Sequence, residues 1–293
     1  HLVEFRERPV VNIEPELEIT SWQRPLAYES QLHTEAQAFL SEADGKRNVD
    51  QHAVMVRWWV RRLLESPRPV EEKLVLFWHD HFASSYDKVE DIDLMRNQNR
   101  LFRLNCKGDF SVLVKAVNKD AAMMEFLDTV RNKKNEPNEN YGRELQELFT
   151  LGVKDLLGNP NYEQEDVFQI ARAFTGWDYD DKGVAEFHDT RHDYENDYPE
   201  RGPKVIFKTR GGFGASGISY TGAGEGEQEV DSVIDVILQH RYGPDLRTTV
   251  ADHIAYKLIT YFAHPSPSLT FVSDVVDSSN FDSNWDIAGL LKQ

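Results

Sequence analysis

The sequence predicts a mainly α fold: a multi-helix single domain with one irregular, Gly-rich segment that carries short strands or hairpins. Two observations support this. Apolar residues recur at spacings of three and four through most of the chain, with Pro and Gly between those stretches. From Trp177 to about Glu229 that period gives way to aromatic and β-branched residues among glycines such as Gly211, Gly212, Gly214 and Gly217.

Residues 1–33 mix charges with Pro9, Pro15 and Pro25 and have no sustained period, which predicts an extended arm before a helical domain over 34–293. Helical spacing runs over 34–43 and 50–65, where Val56, Trp59, Val60 and Leu63 form the expected core stripe. The Ser66-Pro67-Arg68-Pro69 break precedes a helix over 70–83. Further helices are expected over 93–106, 109–117 and 119–130. Asn138-Glu139-Asn140 caps another, which starts at Tyr141 and closes at Gly152. The helix from Gln164 closes at Gly176. After the irregular segment the helical period returns over 230–240 and 248–262, and Asp286 caps a last turn.

With 293 residues, of which 40% are hydrophobic and 11% aromatic, the chain has ample apolar surface for a core. A formal net charge of -17 argues against nucleic acid as a partner, because phosphate binding needs concentrated Lys and Arg. Cys106 is the single cysteine, which excludes an intramolecular disulfide and a multi-cysteine metal site. No apolar run reaches the roughly 18 residues of a membrane span. The first residue, His1, is not Met, which leaves room for an upstream segment such as an export signal.

Candidate chemistry lies where polar residues interrupt apolar faces. At about 100° per residue, Glu144 falls beside the stripe of Tyr141, Leu145 and Leu148, so it is expected to be partly buried. A buried carboxylate must be paired, protonated or bound to a metal, and Arg143 and Arg172 are candidate partners for Glu144 and Glu147. In Phe77-Trp78-His79-Asp80-His81-Phe82 the two histidines point about 200° apart, so they do not chelate one metal together. His81 lies on the core side. Two His-Asp pairs, His188-Asp189 and His192-Asp193, fall in the irregular segment and suit a metal ligand or a general base. The alternatives are a satisfied core histidine for His81 and a solvated loop for the His-Asp pairs. Asp178, Asp180, Gly183 and Asp189 are spaced loosely like a calcium loop, but Lys182 takes a ligand position. The glycine-rich run lacks the Gly-Lys-Ser/Thr ending of a phosphate-binding loop.

These stretches, with Asn138-Glu139-Asn140-Tyr141-Gly142-Arg143-Glu144-Leu145, Glu147-Leu148-Phe149-Thr150-Leu151-Gly152-Val153, Ala171-Arg172-Ala173-Phe174-Thr175-Gly176-Trp177 and His192-Asp193, resemble the bacterial domain-of-unknown-function family 1800. Lys119-Asp120-Ala121-Ala122-Met123 adds to the match, which is densest between Trp78 and Trp177. Three positions depart from the family pattern: Asp80 for Asn, Glu163 for a capping Thr, and 241–247 for a His-Pro helix junction. Asn161 with Gln164 offers a substitute cap. Members are commonly exported, so the resemblance implies an extracytoplasmic location, whether periplasmic, secreted or cell-surface.

Two functional expectations follow. In the first, His81, Asn140, Glu144, Glu147, His192 and Asp193 gather into a metal or acid/base site, with one divalent ion held by His81, Glu144, His192 and Asp193. Such an enzyme acts on an extracellular polymer or its esters, and Trp78, Asn140, Arg143, Arg172 and Trp177 bind substrate. In the second, the same residues form a buried His/Glu/Arg network in a non-catalytic scaffold or binding module for a carbohydrate or protein surface. A third expectation is an oligomer or filament subunit that uses the N-terminal arm.

Overall fold

The computed structural model describes residues 48–208, 226–241 and 247–293, and over these the fold is mainly α. The expected arm, the helix over 34–43 and the glycines from Gly211 to Gly224 lie outside the described residues. Helix α1 (Asn48–Glu65) buries Met55 and Trp58, whereas Val56 and Val60 are exposed. The apolar stripe is therefore turned by about one residue from the sequence expectation. The reason is that the large indole of Trp58 sets the face, with the Arg103 guanidinium 5.5 Å above its ring.

Helix α2 (Pro69–His81) starts on proline at its first turn and buries Leu74, Val75, Phe77, Trp78 and His81. A short α3 (Tyr86–Val89) leads into α4 (Ile92–Asn105), which is capped by Asp91. Arg103 of α4 reaches Glu72 of α2 through two bonds of 2.9 and 2.7 Å, a buried bidentate pair. Asp109 caps α5 (Phe110–Asn118), and Asp120 caps α6 (Ala121–Phe126). The single helix expected over 119–130 stops at Phe126, because Asp128 takes a left-handed conformation with φ 58°.

Asn138 caps α7 (Glu139–Glu144), which continues as a π-helix over Leu145–Thr150. The wide turn shows in Leu151 N–H donating to Gln146 O, five residues back, at 3.1 Å. Gly142 lets α7 cross α8 (Gln164–Ala173) closely, since a Cβ there would lie 3.2 Å from Val167 O. At the start of α8, the Glu163 backbone N–H donates to Asp166 at 2.7 Å. Asn161 does not supply the cap; its amide bonds to the carbonyls of Leu151 and Gly152.

Two antiparallel strands follow, β1 (Trp177–Tyr179) and β2 (Ala185–Phe187), with Asp178 opposite Glu186. Helices α9 (Gly226–Leu238) and α10 (Thr249–Phe262) then complete the body. The chain ends in α11 (Leu269–Ser279), α12 (Phe281–Asn284) and α13 (Ile287–Leu290). One main core runs through these layers, from Leu74, Trp78 and Phe110 to Ile254, Val272 and Phe281.

Candidate functional site

The end of α8 and the start of the hairpin organise the most polar part of the interior. Gly176 turns the chain at φ 93°, where a Cβ would stand 2.9 Å from His188 O and 3.2 Å from His192 N. Its N–H donates to Asn132 O at 3.1 Å, and its carbonyl accepts from His188 N–H at 2.8 Å. This tight return brings His192 and Asp193 beneath Arg172.

Arg172 is wholly buried, and its Nε and Nη2 donate to the two Asp193 carboxylate oxygens, each at 3.2 Å. Its remaining donors reach Gln169 at 2.8 Å and Gly202 O at 3.1 Å. Arg201 closes the other side of Asp193 at 2.6 Å. The Asp193 carboxylate thus sits between two guanidinium groups, an arrangement that compensates its burial.

His192 heads a second cluster. Its Nδ1 lies 2.7 Å from Thr175 O, and a carbonyl only accepts, so Nδ1 carries hydrogen. Its Nε2 faces Glu229 Oε2 at 2.7 Å, a separation at which one proton must lie between the two atoms. Lys204 Nζ donates to the same carboxylate oxygen at 2.8 Å. Burial pulls the Lys204 ammonium below its ordinary range, and Glu229 opposes that shift. His192, Asp193 and Glu229 have no exposed side-chain surface. Chemically, this is a sealed proton-sharing network.

The carboxylates on the α7 and π-helix segment lie in a different setting. Glu144 and Glu147 are half-buried, and Asn140 is exposed. Partial burial raises the Glu144 carboxyl above its usual range, and the neighbouring Glu147 raises it further. Glu147 accepts a very short bond from the Tyr162 phenol. Arg143 donates to Glu139 at 2.9 Å and lies 3.9 Å from Glu147.

His81 sits on the inner side of the same segment. Its Nε2 donates to Phe149 O at 3.0 Å, so Nδ1 is a bare lone pair, and that buried atom has no partner. Burial first, then Lys257 and His253, hold His81 well below the usual histidine range. His79 is half-buried against Trp59 and Phe102. The indoles of Trp78 and Trp177 are buried, with Trp78 Nε1–H given to Cys106 O at 2.8 Å and Lys119 Nζ 5.3 Å over the Trp177 ring.

The expected site residues therefore divide among three places: His192, Asp193 and Arg172 in the sealed network, Glu144, Glu147, Asn140 and Arg143 along the outer helix, and His81 with Trp78 in the core. No group of three His, Cys, Asp or Glu side chains is placed to hold a metal ion among the described residues. The loop that loosely suggested calcium is a turn, since Asp180 accepts the N–H groups of Lys182 and Val184 at 2.9 and 2.8 Å.

Sequence reasoning missed Lys204, Glu229, Arg201, His253 and Lys257. One signal was present for Glu229. It stands four residues before Val233 and eight before Ile237, on the apolar face of its helix.

Fold and network define a helical domain whose irregular segment is pinned to the helices by buried ion pairs. The chain belongs to the family described as protein of unknown function DUF1800, whose model matches residues 11–293. No curated protein matches it, and no solved structure does.

Proposed function

We propose that the protein is an extracytoplasmic, non-catalytic scaffold or binding module in which the buried network fixes the irregular segment against the helices. One observation carries this reading: His192 and Asp193 are sealed and wholly engaged by Glu229, Lys204, Arg172 and Arg201. A histidine and a carboxylate serving a substrate need access to it, whereas a structural network needs the opposite. The extracytoplasmic setting rests on the family resemblance. A carbohydrate or protein surface is the partner class this reading takes.

The test is elemental analysis of the desalted protein with Glu229→Gln and Asp193→Asn variants. Marked loss of cooperative stability in both, with no bound metal in any form, is expected. A stoichiometric divalent ion that disappears in a variant of unchanged stability would overturn the structural role.

A second reading, acid/base catalysis on an extracellular polymer or its esters, is favoured by the half-exposed Glu144, whose carboxyl is raised beside Glu147 and Tyr162. Substrate turnover abolished by Glu144→Gln, with the fold intact, would decide for it. Assembly through residues 1–33 is checked by deleting them and measuring mass by light scattering. An unchanged mass counts against the arm as an oligomer contact.

A further inference from the structure

Helices α2 and α10 meet at a seam, Phe77 against the Tyr261 and Phe262 rings, whose polar side chains the buried network does not use. On α10, His253, Lys257 and Tyr261 are spaced by four and share one side. On α2, Phe77 and His81 share the facing side: Phe77 lies 5.2 Å from the Tyr261 ring and 6.0 Å from the His81 ring. His253 packs on Gly152, where a Cβ would stand 2.9 Å from Nδ1, and His81 holds Phe149 O. Exposure falls inward along the seam. Asp80 and Tyr261 are exposed, Lys257 and His253 are half-buried, and His81 is buried.

Two atoms at the inner end lack partners. His81 Nδ1 is a bare lone pair, and His253 Nε2 is buried without a hydrogen bond. Lys257 makes no ion pair among the described residues. Its counter-charge is the more distant Asp80.

We propose that Lys257 is a reactive amine that captures small aldehydes or ketones as an imine, with the imidazoles of His81 and His253 as its proton acceptors. A lysine partly withdrawn from water and without a close carboxylate is a better nucleophile than an exposed one. Burial lowers the Lys257 ammonium, and it is also the largest cause that holds both histidines below their ordinary range.

In the step, the amine nitrogen adds to the carbonyl carbon and the carbonyl electron pair moves to oxygen. The two protons of the nitrogen pass in turn through an imidazole lone pair to that oxygen: the first makes the hydroxyl of the carbinolamine, and the second makes the water that leaves while C=N forms. No oxidant or reductant enters. This goes beyond the scaffold reading and uses none of that network's residues, so the two stand or fall separately.

The experiment treats the full chain at neutral pH with propanal and sodium cyanoborohydride and reads each lysine by peptide mass. Lys257 is expected to gain the propyl mass several-fold faster than the exposed Lys73 and Lys182, because burial leaves more of its amine unprotonated at neutral pH. Lys257→Arg keeps the cation and should lose that fast site, while His81→Gln and His253→Gln should slow it in protein whose circular dichroism is unchanged. Labelling of Lys257 no faster than Lys73 would overturn the proposal. Fast labelling indifferent to both histidine variants would overturn the part assigned to the imidazoles.

Discussion

His192 Nε2 and Glu229 Oε2 meet at 2.7 Å with no solvent-exposed side-chain surface on either residue. One comes from the loop after the hairpin and the other from the first turn of α9, so the contact ties the irregular segment to the helical body. With Thr175 O fixing the far side of the imidazole, the ring has one orientation and one proton between itself and the carboxylate.

Removing one partner of such a buried group should therefore cost more than removing both. Glu229→Gln leaves Lys204 buried without its carboxylate, and a loss of about 3–5 kcal/mol in urea unfolding is expected. The paired change Lys204→Met with Glu229→Leu should recover part of that loss, because no charge is stranded. If the double variant is as unstable as the sum of the single ones, Lys204 and Glu229 are not a coupled unit.

The division between legible and illegible features follows from range. Local rules placed the helices: the break at Pro67 and Pro69 precedes α2, Asn138 caps α7, and Gly176 follows the end of α8. The partial burial of Glu144 and the core-facing side of His81 also followed from helical angle alone. The network did not, because its members are joined across 25 residues between Lys204 and Glu229 and 21 between Arg172 and Asp193. No periodicity encodes such a pairing. The π-helix at Leu145–Thr150 was equally hidden, since its sequence fits an ordinary helix and its wider turn shows only in the structure, as in the Leu151 to Gln146 bond.

Asp120 gives a prediction about pH. Its carboxyl caps α6 through Met123 N–H at 2.9 Å and accepts from Gln98 at 2.8 Å, but burial still pushes it up to about 7. An acid raised in the folded state binds its proton more tightly there, so its contribution grows as pH falls from 7 towards 4 and is lost on the way back up. Asp120→Asn keeps the acceptor and removes the titration. Wild type should gain up to about 4 kcal/mol over the variant across that window. Parallel stability curves for the two proteins would rule the assignment out.

His253 acts in the opposite sense. Burial, then the Lys257 charge, lowers it to about 4 against an ordinary 6.5. The unfolded chain takes up the proton first, so stability is complete above pH 6.5 and falls as pH drops towards 4, by about 3 kcal/mol. Asp120 and His253 thus offset each other in wild type between pH 4 and 6.5. His253→Gln should leave a protein whose relative stability improves on acidification, and Asp120→Asn one that weakens. Chemical denaturation at several pH values separates them, and a common slope would refute the pair of assignments.

Gly176 tests whether the sharp return into the hairpin is what positions His192 and Asp193. Its φ of 93° is unfavourable for any side chain, and a Cβ there would crowd the backbone at His188 O and His192 N. Gly158 has a similar φ of 89° but open space around the missing Cβ. Gly158→Ala should show the conformational cost alone, about 1–3 kcal/mol. Gly176→Ala should cost more, and because the displaced atoms belong to the network loop, the excess should shrink when Glu229→Gln is already present. Equal losses for the two alanines would mean that the backbone around His188 gives way freely, and that the network holds its geometry without the tight turn.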